Sequence, residues 1–170
     1  DRMVEWLFNH PLSDGGTFTG VADLVAKYGV VPKEAMRETF SSNNTSAFNS
    51  VLKRKLREFG IQLREASEEG KKDKELMAMK KEMLGTVYKM LASVYGVPPT
   101  TFTWAPKDSD GKYREKPQEY TPKSFYDKYV GIDFQNNFVM LMNDPSRPYW
   151  KSYEIQYDRH VQEGHNWLYV

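Results

Sequence analysis

Ser13-Asp14-Gly15-Gly16-Thr17 leads into the stretch Val21-Ala22-Asp23-Leu24-Val25-Ala26-Lys27-Tyr28-Gly29. Two adjacent glycines ahead of a helix admit backbone conformations that side chains forbid. They also leave main-chain N–H and C=O groups open to a close partner. Val21, Leu24, Val25 and Tyr28 recur at spacings of three and four, which predicts a helix over about Thr19 to Tyr28 with these four on one apolar face. Gly29 is a natural C-terminal cap, and Val30-Val31-Pro32 then leaves in an extended conformation. Upstream, Arg2 to Asn9 reads as a short helix that stops before Pro11.

Working outward, Ser42 to about Gly96 reads as a helical hairpin. Ser42, Asn43, Asn44 and Thr45 offer cap candidates. Phe48, Leu52, Leu56, Phe59, Leu63 and Ala66 then follow at spacings of three and four, close to a heptad seam. Glu69-Gly70-Lys71-Lys72-Asp73 is the break. A second stripe follows, Leu76, Met79, Met83, Val87, Met90 and Val94, and Gly96-Val97-Pro98-Pro99 ends it. So short a connection forces the helices antiparallel. At 1.5 Å per residue each is roughly 33–38 Å long. The methionines Met77, Met79, Met83 and Met90 are expected in the core of this hairpin.

The rest of the chain mixes strands with a short helix. Thr101-Phe102-Thr103-Trp104 and Lys112-Tyr113-Arg114 flank the turn Asp108-Ser109-Asp110-Gly111 and predict a β-hairpin. Thr121-Pro122 is a helix start, with threonine as cap and proline in the first turn. Phe138-Val139-Met140-Leu141-Met142 reads as a buried strand, and Tyr153, Ile155 and Tyr157 alternate as a half-buried one. The expectation is an α+β chain in three segments, 1–40, 41–99 and 100–170.

The bulk numbers narrow the function classes. A chain of 170 residues can bury roughly 70% of its unfolded surface. With 39% apolar and 28% charged residues it is not expected to be disordered. A net charge of +1 exerts no general pull toward nucleic acid or an acidic membrane. Zero cysteines exclude disulfides, thiolate metal sites and a thiol nucleophile within this chain. No apolar run approaches the roughly 18–20 residues of a membrane span, so no membrane role is expected. A cytoplasmic location is the default. Both ends read as interrupted elements, Met3-Val4 already helical and Trp167-Leu168-Tyr169-Val170 a strand in progress, so a fragment or proteolytic core is expected.

Chemistry candidates are few. His10, His160 and His165 lie in no nucleophile motif and are expected to be solvated or capping. Asp158, His160, Glu163 and His165 form only a loose cluster, so neither metal nor cofactor is expected. Asp108-Ser109-Asp110-Gly111 has Pro117 where a calcium loop would place its closing glutamate. Lys53, Arg54, Lys55 and Arg57 could meet a phosphate backbone, although Glu58, Glu65, Glu68 and Glu69 dilute them.

The double glycine, the helix ending in Val25-Ala26-Lys27-Tyr28-Gly29 and the extended exit together resemble papain-like cysteine peptidases. Several further motifs are similar to the bleomycin hydrolase and aminopeptidase C branch. They are Ser41 to Asn49, Lys55-Leu56-Arg57-Glu58-Phe59, Pro98 to Trp104, Thr121 to Tyr126, Asn143-Asp144-Pro145 and Pro148-Tyr149. They occur in order over nearly the whole chain.

The resemblance implies a papain-like fold carrying an inserted helical hairpin, which helps build a hexamer. It implies removal of N-terminal residues from peptides by a Cys–His–Asn constellation. It also implies that Asp14, Gly15, Gly16 and Thr17 line the substrate cleft, the second glycine pairing with the substrate main chain as an added strand would. No catalytic residue carries over: the family's cysteine lies upstream of this loop, and its histidine and asparagine lie downstream of Asn143-Asp144-Pro145. Thr17-Phe18 departs from the polar residue and tryptophan that many relatives have there. A stand-alone helical-hairpin interaction module without catalysis is the alternative.

Overall fold

The computed structural model describes residues 2–13, 15–153 and 168–169. In chain order the elements are α1 (Arg2–Asn9), α2 (Phe18–Tyr28), a 3-10 turn (Phe40–Ser42), α3 (Ser46–Glu68) and α4 (Asp73–Tyr95). Then come β1 (Phe102–Trp104), β2 (Gln118–Tyr120), α5 (Pro122–Tyr129), α6 (Phe134–Asn137), β3 (Leu141–Met142) and β4 (Leu168–Tyr169). Residues 1–14 and 37–98 form one compact unit, and residues 15–36 and 99–170 form a second.

In the first unit α3 packs on α4. Gly70, at φ 88°, turns the chain between them, and the Lys72 backbone N–H donates to the Glu75 carboxylate at 3.0 Å to cap α4. Leu52 and Ala66 are buried, and Phe48, Leu56, Phe59 and Leu63 are half-buried along the same stripe. Met79, Met83, Val87 and Met90 of α4 are half-buried as well. Phe48 and Tyr95 meet edge-to-face at 5.3 Å. Met77 departs from expectation at 61% exposed. It lies next to the Leu76 position, and one residue rotates it about 100° off the inner stripe.

The second unit is organised by aromatic rings. β1 and β2 pair antiparallel, Phe102 opposite Tyr120 and Trp104 opposite Gln118. Phe125 of α5 packs at 5.4 Å from Phe102, 5.1 Å from Trp104 and 5.9 Å from Tyr120. The helix α5 is started by its cap: Thr121 Oγ1 accepts from Ser124 N at 3.1 Å, and Ser124 Oγ accepts from Thr121 N at 3.0 Å. Thr121→Ala removes one half of this reciprocal pair at an exposed position. The expected loss is about 1 kcal/mol, read from the urea midpoint. An unchanged midpoint would show that the helix start rests on Pro122 and ring packing instead.

Three sequence expectations are corrected here. The strand facing β1 is Gln118–Tyr120, not Lys112-Tyr113-Arg114. The Asp108 carboxylate accepts from the backbone N–H groups of Asp110 and Lys112 and closes the turn early, at a single bridge between Lys107 and Tyr113. The chain then continues to the segment whose Tyr120 ring joins the aromatic core. Second, only Leu141–Met142 of the expected buried strand is extended into a pair, parallel to Leu168–Tyr169, and Val139 and Leu141 are exposed. Phe138 is held by rings, 5.2 Å from Phe18 and 5.5 Å from Phe134, rather than by a strand partner. Residues 154–167, which include Ile155 and Tyr157, lie outside the described residues.

The third correction concerns α2. Its buried residues are Thr19, Ala22 and Asp23, whereas Val21, Leu24 and Tyr28 are exposed. Small side chains on the Ala22 side admit close packing against α5 and α6, which the larger apolar residues would prevent. The helix ends at Gly29, with φ 77° and ψ −162°. A Cβ there would lie 2.3 Å from the backbone carbon and oxygen of Pro122, and the next N–H, of Val30, donates to the Pro122 carbonyl at 3.2 Å.

Candidate functional site

The loop before α2 is built from its cap. Thr17 has extended backbone (φ −111°, ψ 157°), and its Oγ1 accepts from Gly20 N at 3.4 Å. Thr17 Oγ1 also lies 3.2 Å from Thr19 Oγ1, and the Thr19 hydroxyl donates to Met140 Sδ at 3.7 Å. Thr17, expected only as a cleft residue, therefore starts the helix. A threonine just ahead of an apolar-periodic run carried that signal in the sequence.

Gly15 and Gly16 are exposed. Gly16 does not have a positive φ, and among the described residues a Cβ built on it would meet no atom within 4 Å. The permissive-backbone reason for a glycine is therefore not the one that operates at position 16. Neither its φ nor its packing among the described residues excludes a side chain. Asp14, the fourth expected cleft residue, lies outside the described residues.

The other candidates separate. His10 stacks on Trp6 at 5.2 Å, and its Nδ1 donates to the Trp6 carbonyl at 3.3 Å, so it continues the end of α1. His160 and His165 lie outside the described residues. Among the described residues there is no group of three His, Cys, Asp or Glu side chains that could hold a metal ion. Among the same residues no helix is long and apolar enough to cross a membrane.

Two members of the basic cluster are engaged locally. Lys55 pairs with Glu58 at 2.7 Å and sits over the Phe59 ring. Arg57 Nε donates to the Phe8 carbonyl at 2.7 Å, and its Nη2 donates to the Asn9 carbonyl at 3.0 Å.

A cavity of about 320 Å³ opens between Ala26 of α2, the Lys123–Asp127 ion pair of α5 (3.2 Å) and the Asp133–Phe134 start of α6. Ala26 is nine residues along the helix from Thr17, about 14 Å at 1.5 Å per residue, so this cavity is not part of the glycine loop. Asp133 caps α6 by accepting from Asn136 N at 3.2 Å.

Two polar groupings were not legible as such. Lys128 Nζ donates to Tyr120 Oη at 2.6 Å, and Tyr129 Oη donates to Glu115 at 2.7 Å. The two phenol oxygens are 3.1 Å apart. The hydrogen bond to Tyr120, then burial and the Glu115 carboxylate, push the Tyr129 phenol up to about 12. The Lys128 ammonium lowers the Tyr120 phenol from its ordinary value. In the Asn143-Asp144-Pro145 motif, Asp144 accepts from the Ser146 hydroxyl at 2.6 Å, the Ser146 N–H at 3.0 Å and Arg147 Nε at 2.9 Å. The Ser146 hydroxyl foremost, with its N–H and Arg147, holds this carboxyl below the usual carboxylate range. The motif is thus a turn locked by its own aspartate.

Comparison with known proteins covers the whole of this geometry. The family model described as "Peptidase C1-like family" matches residues 1–170. Aminopeptidase C of Lactobacillus delbrueckii subsp. lactis is 39% identical over 166 residues, 96% of this chain and 36% of that protein. Bleomycin hydrolase of Homo sapiens is 34% identical over 172 residues, 99% of this chain and 37% of that protein. The crystal structure of PepW from Lactobacillus rhamnosis superposes with a TM-score of 0.85 at 32% identity, over 100% of this chain and 39% of that one. The chain thus spans little more than a third of the length of the curated relatives it matches.

Proposed function

This chain belongs to the Peptidase C1-like family, and on that premise we propose that it is an internal segment of a cysteine aminopeptidase of the aminopeptidase C and bleomycin hydrolase type. The segment supplies a wall of the substrate cleft, not the nucleophile. The cysteine, histidine and asparagine of the reaction come from sequence other than these residues, which contain no cysteine. In that reaction a thiolate attacks the carbonyl of the first peptide bond, the histidine carries the protons, and the asparagine orients the imidazole.

One observation supports the assignment of the wall most strongly. Gly16 is exposed, has no positive φ, and among the described residues has open space where a side chain would stand. A glycine that the described residues do not require is accounted for by a partner that must approach the backbone. An extended peptide pairing with the Gly16 N–H and C=O needs that approach. Gly15 and Asp14 continue the wall, and Thr17 fixes its downstream end by capping α2.

The hairpin of α3 and α4 is the assembly element in this reading, contributing to a homo-oligomer such as a hexamer. Met77, Leu84 and Tyr88 support it: they lie at spacings of seven and four along α4 and all are exposed. Peptides are the substrates, and the protein acts in the cytoplasm.

The test is hydrolysis of aminoacyl-coumarin amides. The 170-residue chain alone is expected to show no turnover above the uncatalysed rate, while a full-length polypeptide carrying it shows thiol-dependent release of the N-terminal residue. Turnover by the chain alone, through one of its own side chains, would overturn the reading.

A further inference from the structure

Three hydrogen bonds in series run inward from the loop before α2. The Gly20 N–H donates to Thr17 Oγ1 at 3.4 Å. Thr17 Oγ1 and Thr19 Oγ1 lie 3.2 Å apart. The Thr19 hydroxyl donates to Met140 Sδ at 3.7 Å. Each hydroxyl has one proton, and a thioether sulfur can only accept. The Thr19 proton therefore goes to Met140, and between the two threonines it is Thr17 that donates. Thr19 is 2% exposed, which shields this step from competing water. Met140 stands just ahead of β3, in the same unit as residues 15–36. The series thus ties the start of α2 to a segment 121 positions further along the chain.

Thr17 is held at both of its polar ends. Its hydroxyl accepts from Gly20 and donates to Thr19, and its carbonyl accepts from the Val21 N–H at 3.2 Å. Its backbone stays at φ −111° and ψ 157°. The φ rotation of Thr17 turns the peptide plane that it shares with Gly16, and that plane is itself rigid. The plane carries the Gly16 C=O. Its direction relative to Thr17 is therefore set by a single torsion. A carbonyl already aimed has less freedom to lose when a ligand pairs with it, and so binds at lower entropic cost.

We infer that Thr19, backed by Met140, is a positioning residue for peptide binding: through the Thr17 hydroxyl it fixes the plane of the Gly16 carbonyl without touching substrate. The inference rests on the proposed role of Gly16 and is tested together with it.

The experiment uses the full-length peptidase carrying this segment, with Thr19→Val, Thr19→Ser, Met140→Leu and Gly16→Val made separately. Thr19→Val puts a methyl where the hydroxyl stood and leaves the Thr17 proton without its acceptor. It is expected to raise KM for peptide substrates about three- to fivefold, with kcat within twofold, and to speed amide exchange over residues 16–21. Thr19→Ser keeps the hydroxyl and is expected to stay within twofold of the parent in both constants. Met140→Leu keeps both hydroxyls but removes the final acceptor, and is expected to raise KM about twofold. If Gly16→Val raises KM while Thr19→Val speeds exchange without changing KM, the positioning role is wrong and the loop assignment stands. If Gly16→Val leaves KM unchanged, the loop assignment itself has failed and Thr19 loses its proposed function with it. Should Thr19→Val not fold, Met140→Leu decides: a raised KM with kcat retained supports the inference, and an unchanged KM overturns it. A lowered urea midpoint with kcat falling in both Thr19→Val and Thr19→Ser reduces the series to a stability role and also overturns it.

Discussion

Gly29→Ala is expected to destabilise the second unit by about 3–5 kcal/mol. Two costs add. The backbone at φ 77° and ψ −162° lies in a region that is essentially glycine-only, which costs roughly 1–3 kcal/mol for any other residue. The added Cβ would also stand 2.3 Å from the Pro122 backbone carbon and oxygen and 2.5 Å from Lys123 N. Main chain cannot swing aside as a flexible side chain does, so relief requires α2 and α5 to part. Overpacking of this kind costs about 1–3 kcal/mol. Gly96 provides the internal control. It has a similar backbone, φ 87° and ψ 169°, but its Cβ would meet nothing within 4 Å. Gly96→Ala is therefore expected to cost only the conformational part. Urea unfolding of both variants separates the two costs, and equal losses would mean that the corner between α2 and Pro122 yields freely.

Gly16→Val is expected to do the reverse: to leave stability within about 0.5 kcal/mol and to reduce kcat/KM of the full-length peptidase ten- to a hundredfold. A substitution on an exposed site without a positive φ or, among the described residues, a neighbouring atom falls among those that scarcely move stability. Valine also favours the extended backbone that strand-like pairing uses. Its cost falls on the partner. Two methyl groups standing over the main chain keep a peptide from closing its hydrogen bonds, each worth about 0.5–1.5 kcal/mol net. The loss is expected mostly in KM, and Gly16→Ala should be intermediate. Unchanged kinetics for both variants would show that no substrate backbone approaches this glycine.

What the sequence made legible was local. Arg2–Asn9, the break near Gly70, the cap at Thr121-Pro122 and the stop at Gly29 are each decided by a few adjacent residues, and the structure places elements at these points. What it hid was decided at a distance. Gln118-Glu119-Tyr120 follows a proline and carries two polar residues, so only the ring of Tyr120 among Phe102, Phe125 and Tyr129 explains its strand. The inward face of α2 could not be read from hydrophobicity, because closeness to α5 and α6 selects small residues such as Ala22 over Val21 and Leu24. The four-residue α6 is too short to show a period. At the candidate site the glycine pair was visible, but the open space beside Gly16 among the described residues was not, since no neighbouring letter encodes it. Arg57 was misleading for a similar cause. Among Lys53, Arg54 and Lys55 it reads as charge, and only the carbonyls of Phe8 and Asn9 show what it binds.

The nesting of the two units sets an order of events during synthesis. Residues 37–98 are interleaved between the two halves of the second unit. As the chain leaves the ribosome, α2 is complete long before Pro122, whose carbonyl receives the Val30 N–H. About 90 residues separate them, which at translation rates of roughly 5–20 residues per second is a wait on the order of ten seconds. The α3–α4 hairpin, whose contacts are local, can close in microseconds as soon as it emerges. During that interval the face of α2 that packs on α5 and α6 lacks both of these partners. Chaperone capture on the ribosome should therefore centre on residues 18–28, and release should coincide with emergence of α5.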